Sequence, residues 1–179
     1  MITDHARRSI EAIFCHAARS RLTLRAGDRC ETVAVDLARR PAPPGKDAVV
    51  LTISAIAFRL LIVLHFNDDE ATRRYYVGDN AERTVPEVLM EVANLCCGFV
   101  NQQLVTHFPD LGMSTPYALS SLCVDYLEEL KPDCAWAFDI VVDGDVQLGA
   151  TLCVCANAPL DFVATIEAEA SSEGELELF

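Results

Sequence analysis

Along residues 83 to 108 apolar side chains recur with the period of a helix. At about 100° per residue, Val85, Val88, Leu89, Val92, Leu95, Cys96, Phe99 and Gln103 share one side. All but the last are apolar, so this side suits a core. Glu87, Glu91, Asn94, Gly98 and Asn101 occupy the other side, at spacings of 4, 3, 4 and 3 that keep them in one narrow row. Thr84 is placed to cap the helix, Pro86 falls in the first turn, and Glu87 stands three residues after Thr84, the spacing of a capping box. A second amphipathic helix is predicted from Thr3 or Asp4 to about Arg21. Its apolar stripe is Ile10, Ile13, Phe14, Ala17 and Ala18, and its polar face carries Arg7, Arg8, Glu11 and Arg19.

Between and after the helices the period changes. Alternation over Cys30 to Leu37 predicts a strand. Residues 39 to 47, rich in Pro and Gly, read as a loop inside the domain. Residues 48–57 and 58–66 are apolar and β-branched enough for two strands. A turn is expected at Asn67–Glu70, a further strand over Thr72–Val77, and a break at Gly78–Asn80. Residues 113–122 read as extended, with Pro116 at an edge or a bend. Val124–Leu130 fits a strand or a helical turn equally. Lys131–Asp133 is a turn, and 135–142 with 145–155 form a hairpin around Asp143-Gly144. Residues 159–164 add a short segment. Two amphipathic helices need an apolar surface, and the strands can supply it. The expected architecture is therefore α+β: an antiparallel sheet with both long helices packed on one face. Residues 1–166 form one domain, and 167–179 an acidic tail with the composition of a disordered segment.

Composition narrows the function classes. The chain has 179 residues, 51% of them hydrophobic, enough for one domain with a sizeable core. Net charge is −13, and the tail holds five glutamates without a basic residue, which argues against a nucleic-acid partner. No uninterrupted apolar run reaches the ~18 residues that spanning a bilayer takes; residues 48–66 are cut by Thr52, Ser54, Arg59 and His65. Residues 1–14 lack the pattern of a secretory leader. The eight cysteines contain no C-x-x-C, so they predict buried thiols in a reducing cytoplasm, without disulfides or metal. His16, His65 and His107 fall on three elements and read as structural. Asp68, Asp69 and Glu70 read as a solvated hairpin tip.

Two residues in the polar row are poor choices for a merely solvated face. Gly98 in mid-helix costs ~1 kcal/mol relative to Ala, a cost that makes sense where another backbone must approach closely. The Asn94 amide competes with the helix for backbone hydrogen bonds. Glu91, Asn94 and, further on, Pro116 of the Ser114-Thr115-Pro116 segment resemble the signature of the CheC/CheX/FliY chemotaxis phosphatases. Twenty-one residues separate Asn94 from Pro116, one short of the family's spacing, and Glu87 stands where Asp or Ser is usual. In the first helix Glu11 is followed three residues later by Phe14, not Asn, so the chain resembles the one-site CheX type.

The resemblance implies a helix-and-sheet fold and removal of the phosphoryl group from the aspartyl phosphate of a CheY-like response regulator. It implies that Asn94 orients the attacking water and Glu91 pairs with the receiver's lysine. Glu87, Gly98 and Asn101 would complete the docking line. No cofactor is implied for the chain itself, since Mg²⁺ would be held by the phosphorylated receiver, and the CheX branch suggests a homodimer. A second reading is a CheX-like module that binds a receiver without hydrolysing anything.

Overall fold

The computed structural model describes residues 1–37, 45–80 and 82–165. Most of the expected loop at 39–47, and the tail at 167–179, lie outside the described residues.

The first helix, α1, is Asp4–Arg21, capped by Thr3, whose side chain accepts from the Ala6 N–H at 3.2 Å. Strands β1 (Cys30–Val35), β2 (Asp47–Ser54) and β3 (Phe58–Phe66) follow, then a short helix α2 (Glu70–Tyr76) and the long helix α3 (Val85–Val105). The chain closes with β4 (Gly112–Met113), β5 (Tyr117–Ser120), a 3₁₀ segment (Ser121–Leu130), β6 (Cys134–Val142) and β7 (Val146–Ala156). The strands make one antiparallel sheet in the order β1-β6-β7-β3-β2-β4, with β5 also paired to β2. The β6–β7 hairpin turns at Asp143 (φ 51°) and Gly144 (φ 76°), the two successive left-handed residues that a type I′ turn requires.

The α+β expectation holds. Alternate residues of the central strands, such as Leu51 and Ile53, Leu60 and Ile62, Phe138 and Ile140, and Leu152 and Val154, join the stripes of α1 and α3 in one core. The seam between the two helices is closed by α1 side chains on Phe99: the His16 ring at 5.2 Å and the Arg21 guanidinium at 5.5 Å. On the opposite sheet face a small second cluster, Ala48, Val50 and Val63, lies under Cys123 and Val124 of the 3₁₀ segment. Ser121 ties that segment down, its hydroxyl donating to the Asp47 carbonyl at 2.9 Å.

Expectations are corrected at residues 72–77 and at Leu95. Thr72–Val77 is not a strand but most of α2. Its Thr and Tyr residues favour β structure, yet Asp69 caps a helix by accepting from the Thr72 N–H at 2.9 Å, and helical spacing turns Thr72 and Tyr76 together into the interior. Leu95, placed above on the core side, is 59% exposed. α3 is apolar over most of its circumference, and the arc that meets the sheet and α1 includes Ala93, Cys97, Val100 and Leu104, which leaves Leu95 just past its rim.

Among the described residues α3 is also the one helix long and apolar enough to cross a membrane by length and composition; half of that stretch is buried inside the fold. Packing against a sheet selects the same side chains as lipid does.

Candidate functional site

The row identified on α3 lies on the side turned away from the sheet. Glu87 and Glu91 are exposed; Asn94, Gly98 and Asn101 are half-buried. The helix start is built as a reciprocal box. Thr84 Oγ1 accepts from the Glu87 N–H at 3.4 Å, and Glu87 Oε2 accepts from the Thr84 N–H at 2.9 Å and from its hydroxyl at 2.8 Å. These hydrogen bonds, with a smaller contribution from the nearby Arg83 charge, hold the Glu87 carboxyl below its ordinary range. The stability they lend is present above the unfolded carboxyl's value, near 4.5, and is lost as pH falls through the lowered folded value.

One turn on, Glu91 Oε2 lies 2.5 Å from Arg83 Nη2, an ion pair whose side chains are 66% and 39% exposed. Asn94 follows at the i+3 position, close enough for the two side chains to act on one object. Among the described residues nothing hydrogen-bonds the Asn94 carboxamide. Its oxygen can accept and its nitrogen donate.

Gly98 comes next. A Cβ there would meet nothing within 4 Å, so no neighbour within the described fold requires the glycine. Its missing side chain instead leaves the surface low beside Asn94. Asn101 ends the row differently: its Oδ1 is buried and has no hydrogen-bond partner among the described residues. Leu95, at the border of the row, adds an exposed apolar side chain to this face.

Pro116 lies on the sheet edge beside β2. The register runs Ile53 to Met113 and Val50 to Tyr117, so three residues (114–116) face two on β2, a bulge. Ser114 bridges it: its N–H donates to the Thr52 carbonyl and its hydroxyl accepts from the Thr52 N–H, both at 2.9 Å. A proline, which has no N–H to give the ladder, is accommodated at such an interruption. Both strands flanking the bulge border α3.

The other polar groups singled out in the sequence make contacts within the fold. His65 is fully buried on the opposite sheet face, Nε2 at 2.9 Å from Thr151 Oγ1 and Nδ1 at 3.3 Å from Ser121 Oγ. His107 packs on Phe162. Asp68 and Asp69 form a helix entrance rather than a hairpin tip: Asp68 binds Arg73 at 2.6 and 2.8 Å, and Asp69 caps α2. The eight cysteines are free thiols. Burial pushes Cys30 and Cys134 up to about 11 and Cys97 to about 12, and raises Cys96 and Cys153 as well. Protonated thiols of this kind are poor nucleophiles and metal ligands. Among the described residues no group of three or more His, Cys, Asp or Glu could hold a metal ion.

No family model and no curated protein matches the sequence. Solved structures do. The chemotaxis protein CheX from Desulfovibrio desulfuricans is similar at a TM-score of 0.57 and 14% identity, over 82% of this chain and 99% of that one. The CheX–CheY–BeF3–Mg²⁺ complex from Borrelia burgdorferi matches at 0.55 and 12%, over 84% and 97%. A CheC-like superfamily protein from Shewanella sp. PV-4 matches at 0.53 and 9%, over 86% and 99%. The chain has the CheX/CheC-like fold. Within that fold the row runs from the exposed Glu87 and Glu91 to the half-buried Asn94, Gly98 and Asn101, and Arg83, which the sequence reading left out, joins it through Glu91. Arg83 precedes the cap and lies two turns from Glu91, so the short-range spacing rules for pairs on a helix do not reach it.

Proposed function

We propose that this protein accelerates hydrolysis of the aspartyl phosphate of a CheY-like response regulator, with α3 as the surface that enters the receiver's active site. The observation that carries the reading is the Asn94 carboxamide, half-buried and without a hydrogen-bond partner among the described residues, one turn from the exposed Glu91 carboxylate. The fold it shares with CheX, of which one solved example is a complex with CheY, supports the same reading.

The chemistry asks little of such a surface. A water oxygen attacks phosphorus in line, the bond from phosphorus to the aspartyl oxygen breaks, and the aspartate leaves as carboxylate. Inorganic phosphate carries away the new bond, and the water's proton passes to phosphate or solvent. Catalysis of this displacement is mostly positioning and charge stabilisation. Asn94 would accept from the water and steer its lone pair toward phosphorus, as glutamine does in GTPases. Glu91 would meet the receiver's lysine and set the register, a contact that strengthens as water leaves. Gly98, with no Cβ, lets the partner's backbone come close, and the exposed Glu87 and the half-buried Asn101 bracket the contact. The Mg²⁺ and the phosphoryl aspartate would come with the receiver, in a cytoplasmic encounter.

The test is phosphate release from a phosphorylated receiver, alongside binding to the same receiver loaded with beryllofluoride and Mg²⁺. Asn94→Ala is expected to lower the accelerated rate by about 100-fold or more while docking changes little, because the amide acts mainly in the transition state. If wild type binds but never speeds phosphate loss, the protein is a docking module. If Asn94→Ala turns over like wild type, the chemistry lies elsewhere.

A further inference from the structure

We propose that Arg83 is a built-in competitor for the Glu91 carboxylate, occupying in the free protein the place that a docking partner's cation must take. It thereby selects partners that present a strong positive charge in that register. This rests on the docking role given above to Glu91.

The geometry makes Arg83 more than a wandering surface charge. Its backbone is held before the cap: the Arg83 N–H donates to the Asn80 carbonyl at 3.3 Å, and the Asn80 side chain accepts from the Glu82 N–H at 3.1 Å. From this fixed base the guanidinium reaches along the first turns of α3, where two carboxylates compete for it. Glu87 is already committed to the Thr84 backbone and hydroxyl. Glu91 therefore takes the cation, at 2.5 Å.

A receiver ammonium approaching Glu91 thus meets an occupied acid and a like charge. Removing Arg83 would free the acid and remove the repulsion, and both effects favour docking. The opposing effect, loss of a partner that restrains the Glu91 side chain, is a single rotamer-entropy contribution. Exposed ion pairs of this kind shift equilibria by a factor of roughly two to five.

The experiment uses the full chain and a panel of CheY-like receiver domains loaded with beryllofluoride and Mg²⁺. Kd is measured for wild type, Arg83→Gln, Glu91→Gln and the double variant at several salt concentrations, with helicity checked by circular dichroism. Arg83→Gln is expected to tighten binding two- to fivefold and to steepen its salt dependence. In the Glu91→Gln background only the smaller gain from removing the like charge should remain. Arg83→Lys, which keeps the charge, should stay near wild type. Equal or weaker binding by Arg83→Gln, or a gain just as large without Glu91, would overturn the competitor role and leave the docking reading standing. Absence of binding by wild type to every receiver would remove both.

Discussion

α1 and α3 lie side by side on one face of the same sheet, yet only α3 carries the row proposed above to meet a partner. Each has an acid followed three residues later by a residue of consequence. In α1 the pair is Glu11 and Phe14, and the second member is 1% exposed, its ring 5.0 Å from Phe138 in the core. In α3 the pair is Glu91 and Asn94, the first exposed and the second half-buried. The outer side of α1 carries charges that find local partners; Arg19, for instance, donates to the Cys15 carbonyl at 3.0 Å. The outer side of α3 carries an amide without a hydrogen-bond partner among the described residues and a glycine whose added Cβ would meet nothing within 4 Å.

Grafting the motif tests this contrast most severely. Phe14→Asn would write a Glu-x-x-Asn pair into α1, but it would also exchange a buried ring for an amide. The expected result is a loss of about 4 kcal/mol or more, read by urea denaturation, and no second active site. A variant with wild-type stability would mean that α1 is free to turn its Glu11 row outward.

A smaller effect separates the two sides of α3 itself. Leu89→Ala empties a fully buried site and should cost about 3 kcal/mol. Leu95→Ala, on the exposed rim, should cost less than about 0.5 kcal/mol while weakening receiver binding. Equal costs in the same denaturation series would return Leu95 to the core.

The smallest effect has the opposite sign. Gly98→Ala meets no atom and improves helix propensity, so it should stabilise the fold by up to about 1 kcal/mol and still impair docking. If docking is untouched, the low surface beside Asn94 has another cause.

Much of this was legible in the letters, because local rules act over a few residues. The cap at Thr84, the box with Glu87, the stripe of α1 and the Asp143-Gly144 hairpin depend on spacings within one or two turns of chain. The alternation in the strands implied a sheet with a helix-covered face. Where local preference and packing disagreed, packing prevailed. The β-favouring residues of 72–77 became α2, since an aspartate cap and an inward-facing Thr72–Tyr76 pair outweigh intrinsic propensities of a few tenths of a kcal/mol. For α3 the letters marked the helix and most of its buried side, Val85, Val88, Leu89, Val92, Cys96 and Phe99, but not the rim of that side, because apolar residues surround most of its circumference. Only contact with the sheet and α1 chose Ala93 and Val100 for the interior and left Leu95 outside. The Arg83–Glu91 pair was likewise a tertiary decision. It forms because a turn at Asn80 aims a residue outside the helix back along it, and no periodicity records the direction in which a chain enters its helix.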